Sequence, residues 1–138
     1  MQNLSLKEIE FVAFQLAQKF MTWNEPIPDF SSRFKGVLES CIKTPFQKFS
    51  GKSLYPGLIS KSSTLFYLMI KNHPFQNGNK RIATTTLMYF LYKNKKWLKV
   101  NNKELYEFTV WVASSPSKPK IHTIHAIEQF IKNHIVNI

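Results

Sequence analysis

The chain has 138 residues, of which 43% are hydrophobic, so it can bury the core of one ordinary domain, and we expect a single domain over 1–138. Its formal net charge is +11, and its single cysteine, Cys41, excludes an internal disulfide and fits a reducing compartment. No secretory signal is apparent, and the longest apolar stretch, residues 65–70, is too short to span a bilayer. We therefore expect a soluble, cytoplasmic protein with no membrane partner.

The N-terminal segment is predicted to form a helix. Ser5 and Glu8 have the spacing of a capping box, in which each side chain bonds the backbone N–H of the other residue. Apolar residues follow at helical intervals, namely Ile9, Val12, Leu16 and Phe20. Residues 23–29 contain two prolines, which favours a loop after this helix.

A second helix and an irregular segment are predicted next. Ser31 or Ser32 is expected to cap a helix with apolar residues at positions 34, 37, 38 and 42, ending near Pro45. Residues 51–60 hold two glycines and a proline. They are predicted to form a loop or a small hairpin rather than a helix.

The rest of the chain is predicted to be helical. Two long helices, about 61–72 and 79–94, flank a polar loop. A further helix is marked by Leu105, Phe108, Trp111 and Val112, and the last one by Ile121, Ile124, Ile127, Ile131 and Ile135. We therefore predict an all-α domain with one irregular flap before the polar loop.

The polar loop carries the most informative residues. Positions 73–81 read His-Pro-Phe-Gln-Asn-Gly-Asn-Lys-Arg, and Phe75 is expected to point into the core. A helix that begins here attracts anions, because its first N–H groups lack partners and its macrodipole is positive at this end. A titratable imidazole, an anion-binding helix start and two cations together indicate phosphoryl or nucleotidyl transfer.

Each polar residue of the loop suits a step of that chemistry. His73 can accept a proton from an attacking hydroxyl near neutral pH, which makes it the candidate general base. Gly78 lets the backbone approach a phosphate or adopt a positive φ, and Asn79 offers an amide that orients the loop or binds a phosphate oxygen. Lys80 and Arg81 can neutralise charge on a transferred phosphoryl group. Arg81 is one of two arginines among nineteen cationic residues, and its planar fork suits phosphate.

The loop resembles the signature of the Fic/Doc (Fido) family, H-x-F-x-(D/E)-G-N-G-R-x-x-R. Five residues stand at its fixed positions, namely His73, Phe75, Gly78, Asn79 and Arg81. Lys80 replaces the second glycine, which is typical of the Doc (death-on-curing) branch. The resemblance covers roughly residues 34–97 and implies the Fido fold, an all-α bundle with the motif between two central helices. Leu54 and Tyr55 would then lie in a flap that holds the target segment as an extended strand.

The resemblance to the Doc branch implies an ATP-dependent transferase. Lysine at position 80 is associated with transfer of the γ-phosphoryl group of ATP to a Ser, Thr or Tyr hydroxyl of a protein, and glycine there with AMP transfer. Doc phosphorylates elongation factor Tu, which is therefore the target that the resemblance implies. The alternatives are Fic-type AMP transfer and a catalytically inactive Fido domain that binds protein or nucleic acid.

Position 77 departs from the family pattern. The family places an acid there that holds Mg²⁺, whereas this chain has Asn77. No Asp or Glu occurs between Glu39 and Glu104, and Mg²⁺ prefers carboxylate, phosphate and water oxygens. Three arrangements remain open: Asn77 holds the metal through its amide oxygen, Glu39 or Glu104 folds into the site, or Mg²⁺ enters with ATP.

The resemblance also bears on partners. The family's inhibitory motif, (S/T)-x-x-x-E-(G/N), is absent, because none of the seven glutamates precedes Gly or Asn. A separate antitoxin would then inhibit the chain as the toxin of a toxin–antitoxin pair, and the charge of +11 would suit an acidic one. Nucleic-acid binding is the less favoured interpretation of this charge, because lysine-rich usage alone would also produce it.

Overall fold

A computed structural model describes residues 1–20, apart from the side chain of Phe20, and residues 26–138. The fold is all-α, as predicted, with strands of only two or three residues. The helices are α1 (Leu6–Glu8), α2 (Phe14–Phe20), α3 (Val37–Lys43), α4 (Gly57–Lys71), α5 (Asn79–Lys93), α6 (Asn102–Ser114) and α7 (Lys120–His134). A π-helical turn (Ile9–Ala13) joins α1 to α2, and 3-10 turns span Phe30–Ser32 and Thr44–Phe46. Within the described residues, no helix is long and apolar enough to cross a membrane.

The capping box at the start of α1 is confirmed. The Glu8 N–H donates to Ser5 Oγ at 3.2 Å, and the Ser5 N–H donates to Glu8 Oε1 at 3.0 Å. The other oxygen, Glu8 Oε2, accepts from the Tyr89 hydroxyl at 2.9 Å and lies 2.5 Å from Lys93 Nζ, so it ties α1 to α5. Burial raises the pKa of Glu8, but the bonds from Lys93, Tyr89 and Ser5 outweigh it and hold the pKa below its usual value.

Three predicted boundaries are wrong. Neither Ser31 nor Ser32 caps α3, because Gly36 has a φ of +85° that a helix cannot contain, and α3 begins after it. The hairpin spans β1 (Lys48–Phe49) and β2 (Lys52–Ser53), and residues 57–60 belong to α4. Proline and glycine are tolerated there because the first helical N–H groups have no helical partners. In the last helix, Ile135 lies beyond α7 in a strand, and in the predicted loop 23–29, residues 23–25 lie outside the described part.

The long helices α4 and α5 form the centre of the core. Both carry fully buried side chains, and α7 packs against α4. The largest fully buried side chains are Phe66, Phe75, Phe90, Ile9, Leu38, Leu65, Met69, Ile70, Ile82, Leu87, Leu91 and Leu98. Because α4 ends and α5 begins at the polar loop described above, the packed pair fixes both ends of that loop.

A two-stranded ribbon lies at the other end of α5 and was not predicted. β3 (Lys96–Leu98) pairs antiparallel with β4 (Ile135–Asn137), and Trp97 stands opposite Val136. The ladder continues beyond the strands, with the Lys99 N–H donating to the His134 carbonyl at 2.9 Å. The ribbon therefore joins the end of the chain to the segment that follows α5.

Candidate active site

The motif loop spans residues 72–78 and makes a sharp change of direction between α4 and α5. Asn72 caps the C-terminal end of α4, and its N–H donates to the Leu68 carbonyl at 3.0 Å. His73 then adopts a φ of +48°, which few residues other than glycine do. Gly78 has a φ of +78° and precedes the first residue of α5. Residues with a positive φ therefore lie at both ends of the turn, and one of them is His73.

Three aromatic side chains anchor this loop to the core. Phe75 is 1% exposed, as the sequence predicted, and its ring centroid lies 5.6 Å from that of Phe14 and 5.9 Å from that of Phe30. The carbonyl of Pro74 accepts from the Phe34 N–H at 2.9 Å. The loop is thus held by α2 and by the 3-10 turn at Phe30, while His73 and Asn77 on either side of Phe75 are exposed.

Asn79 braces the loop through both ends of its amide. Its Oδ1 accepts from the Phe75 N–H at 3.0 Å, and its Nδ2 donates to the Phe75 carbonyl at 2.8 Å. These two bonds fix which end of the amide carries nitrogen, so it is Nδ2 that lies 3.4 Å from His73 Nδ1. Of the two roles predicted for Asn79, these contacts support orientation of the loop.

The contact with Asn79 also bears on the proton of His73. An amide nitrogen only donates, so this long contact favours the tautomer with its lone pair on Nδ1 and its proton on Nε2. The ring is exposed and exchanges tautomers through solvent. A proton can therefore be accepted at Nδ1, or at Nε2 after the tautomers exchange, and in either case the ring gives up the contact with Asn79.

Gly78 packs very closely against Pro26 and Ile27. A Cβ at this position would lie 2.6 Å from Ile27 Cδ1 and 2.9 Å from the Pro26 carbonyl oxygen. Both the positive φ and this contact require glycine. Of the two roles predicted for Gly78, the positive φ is confirmed.

A cleft of about 180 Å³ opens at the N-terminal end of α5. The predicted site residues His73, Asn77, Gly78, Asn79 and Lys80 all line it. The rest of the lining was not predicted from the sequence and consists of Ile70, Gln76 and Ala113. Gln76 could have been found from its place inside the motif, but no signal in the sequence places Ala113 of α6 beside it.

Lys71 holds the C-terminal end of α6 beside the cleft. Its ammonium donates to the carbonyl oxygens of Ser115 at 2.5 Å and of Ala113 at 3.4 Å. These carbonyls end α6, where the helix dipole is negative and favours a cation. Lys71, the last residue of α4, therefore fixes the end of α6 next to the motif loop.

Arg81 lies elsewhere. It is 8% exposed, and its guanidinium Nη2 donates to the Ala17 carbonyl of α2. The described lining of the cleft does not include it. The contact with Ala17 joins α5 to α2, and the phosphate contact predicted for Arg81 stays a prediction.

The donor set of the cleft does not fit a protein-held Mg²⁺. Its lining offers the side-chain amides of Gln76, Asn77 and Asn79 and no carboxylate. Among the residues that the structure describes, no three His, Cys, Asp or Glu side chains come together as a metal cluster. Glu39 is held elsewhere, since its carboxylate accepts from the Gly36 N–H at 3.2 Å, and Glu104 lies 3.3 Å from His134.

The predicted flap is the β1–β2 hairpin with the residues that follow it. Leu54 is 51% exposed, and neither Leu54 nor Tyr55 lines the cleft. The flap is fastened by the buried Lys61 of α4, whose Nζ donates to Ser53 Oγ at 2.8 Å and to the Tyr55 carbonyl at 2.5 Å. Burial lowers the pKa of Lys61, and the nearby charge of Lys48 lowers it further.

The comparison with known proteins shows the family of the chain. The model of the Fic/DOC family matches residues 3–91, which is more than half of the chain and includes the whole motif loop. No curated protein and no solved structure gives a significant match. Enzymes of this family generally use ATP and Mg²⁺. The helical bundle is consistent with the Fido fold, and the chain belongs to the Fic/DOC family, whose members generally transfer nucleotide-derived groups to proteins.

Proposed function

We propose that the chain transfers the γ-phosphoryl group of ATP to a hydroxyl of a protein target, as a Doc-type toxin. One observation carries this proposal: a single cleft brings the imidazole of His73 to the N-terminal end of α5, beside Lys80. The first N–H groups of a helix have no helical carbonyl partners, and Gly78 has no side chain to cap them. Such an end binds phosphate groups.

Each residue of the cleft has its own role in the proposed reaction. A ring nitrogen of His73 takes the proton of the target hydroxyl, whose oxygen then forms a bond to the γ-phosphorus. The bond from that phosphorus to the bridging oxygen of ADP breaks, and ADP leaves. The helix end and Lys80 stabilise the negative charge on the transferred group. Asn79 acts in the resting protein by holding Phe75 and the loop that carries His73.

Lys80 is the reason for preferring γ-phosphoryl transfer to AMP transfer. It lines the cleft and stands where AMP-transferring relatives have glycine, so its side chain takes space that a phosphate of the nucleotide would fill. Mg²⁺ would enter bound to the ATP phosphates, since Asn77 is a weak ligand by itself.

The proposed target and inhibitor follow from the flap and the charge. The exposed Phe49 lies in the hairpin and the exposed Leu54 follows it, so this flap offers apolar side chains to an extended segment of the target. Elongation factor Tu is the candidate target from the resemblance. An acidic antitoxin would suit the net charge of +11.

A second candidate is a catalytically inactive binding domain of the same fold. The lack of a carboxylate in the described lining of the cleft favours it, because the metal would then be held only through the nucleotide.

A labelling experiment separates these functions. The protein is incubated with a cell lysate and with ATP labelled at either the α- or the γ-phosphate. Label from the γ-phosphate on a protein supports the proposal, and label from the α-phosphate supports AMP transfer instead. Label from neither position supports the inactive binding domain. Purified elongation factor Tu in place of the lysate tests the target.

A further inference from the structure

Two exposed aromatic rings stand side by side at the C-terminal end of α5. Tyr92 is 58% exposed and Trp97 of β3 is 41% exposed. Their ring centroids lie 6.4 Å apart at an interplanar angle of 83°, so the edge of one ring meets the face of the other. Val136, which pairs with Trp97 across the ribbon, is 38% exposed on the same face. Trp97 is therefore held by the ribbon and Tyr92 by α5, and both rings are left partly exposed.

Of the clefts that adjoin these rings, two share Tyr92 and Ile138 and differ in character. The first, of about 350 Å³, has an almost wholly apolar surface and is lined by Tyr92, Trp97, Val136, Asn137 and Ile138. The second, of about 390 Å³, is more polar and is lined by Tyr89, Tyr92, Lys93, Lys95 and Ile138. Tyr92 and Ile138 belong to both clefts. An apolar aromatic cleft therefore shares a wall with a cleft that carries ammonium groups.

The charge around the rings is positive. Lys95 and Lys99 flank Trp97 at alternate positions and are both exposed, and within the described residues no carboxylate pairs with either. Lys93 is the exception, because it lies 2.5 Å from Glu8. No Asp or Glu side chain occurs in residues 94–103 or 129–138. A second copy of this chain, with the same net charge of +11, would be repelled from such a surface.

We propose that this surface binds single-stranded nucleic acid, with a base in the aromatic cleft and a neighbouring phosphate in the lysine-lined cleft. Proteins that bind single strands combine aromatic rings, on which bases stack, with cations that follow the backbone. A single strand alternates flat apolar bases with phosphates at short intervals, and the two adjoining clefts alternate in the same way. An acidic peptide would use the lysines but has no flat groups for the rings.

This surface is distinct from the cleft at His73 and does not depend on the proposed transferase activity. The two sites share no lining residue. They lie near opposite ends of α5, and the 13 residue steps from Asn79 to Tyr92 correspond to roughly 20 Å at 1.5 Å per residue.

Fluorescence anisotropy with a labelled oligo-uridine of about ten nucleotides tests the proposal, since single-strand sites of this kind span roughly 4–16 nucleotides. Trp97→Ala, and separately Tyr92→Ala, should weaken binding about 5- to 150-fold, the expected range for loss of one stacked base. Replacing both Lys95 and Lys99 by Gln should reduce the slope of log affinity against log salt by about 1.4. Circular dichroism of each variant confirms that it is folded.

A matched control removes an exposed tryptophan and two lysines that do not line the two proposed clefts. Trp111 is 49% exposed on α6, and Lys118 and Lys120 lie nearby in sequence. Trp111→Ala and the double change of Lys118 and Lys120 to Gln should leave the affinity and the salt slope unchanged.

Four outcomes would overturn the proposal. They are no binding of oligo-uridine or oligo-thymidine, equal losses in the control variants, displacement of the strand by free UMP at the same concentration, and stronger binding of a poly-glutamate peptide than of the strand. The third outcome would indicate a mononucleotide site, and the fourth an acidic protein partner.

Discussion

Replacing Gly78 by alanine tests the packing that shapes the motif loop. Gly78 has a φ of +78°, and a Cβ there would lie 2.6 Å from Ile27 Cδ1 and 2.9 Å from the Pro26 carbonyl oxygen. The left-handed conformation costs a non-glycine residue about 1–2 kcal/mol. The contact adds about 1–3 kcal/mol, because the Pro26 carbonyl is backbone and cannot rotate away as a side chain would. We therefore expect Gly78→Ala to lower the free energy of unfolding by about 2–5 kcal/mol.

Gly51 supplies a control with the same backbone angle. Its φ is also +78°, but no atom lies within 4 Å of the position where its Cβ would be. Gly51→Ala should therefore cost only the conformational part, about 1–2 kcal/mol. Urea unfolding of both variants, followed by circular dichroism, measures the difference. Equal losses in the two variants would refute the packing of residues 26–27 against the motif loop.

Three further predictions concern charge. Because the pKa of Glu8 is lowered in the folded protein, its stabilisation is present above the ordinary glutamate pKa and is lost as pH falls through the folded value. Urea unfolding should accordingly show Glu8→Gln less stable than the wild type by about 1 kcal/mol at pH 7, and by less in acid; a gap that widens in acid would contradict the assigned bonds. Asn77→Asp adds a carboxylate to the cleft, so a Mg²⁺ titration should show a lower requirement for half-maximal transfer, and an unchanged requirement would place residue 77 away from the metal. Lys80→Gly should abolish γ-phosphoryl transfer or shift activity to AMP transfer, as α- and γ-labelled ATP would reveal, whereas unchanged rates would separate Lys80 from the nucleotide.

The motif loop was predictable from sequence because its information is local. Four residues of the cleft lie within eight consecutive positions, namely His73, Asn77, Gly78 and Lys80. The helices on either side of them have clear apolar spacing, so the sequence alone indicates that these four residues lie close together. Phe75 was predicted correctly for the same reason, as the apolar residue of a polar loop.

Features that depend on distant contacts were not predictable. The β3–β4 ribbon pairs residues 96–98 with 135–137, and neither strand is long enough to show an alternating pattern. Ala113 reaches the cleft because Lys71 holds the end of α6, which is a contact across 42 positions. Lys61 resembles a solvent-facing helical lysine in sequence, yet the hairpin buries it and supplies oxygen acceptors. In each case tertiary packing, rather than local preference, decides the outcome.

The proposed transfer from ATP requires His73 to accept the proton of the target hydroxyl. The most direct measurement compares γ-phosphoryl transfer by the wild type, by His73→Ala and by His125→Ala, in which an exposed histidine of α7 serves as the control. This role of His73 predicts that His73→Ala remains folded and binds ATP but transfers roughly 10²–10⁴ times more slowly, while His125→Ala matches the wild type. Wild-type transfer by a folded, ATP-binding His73→Ala protein would contradict it.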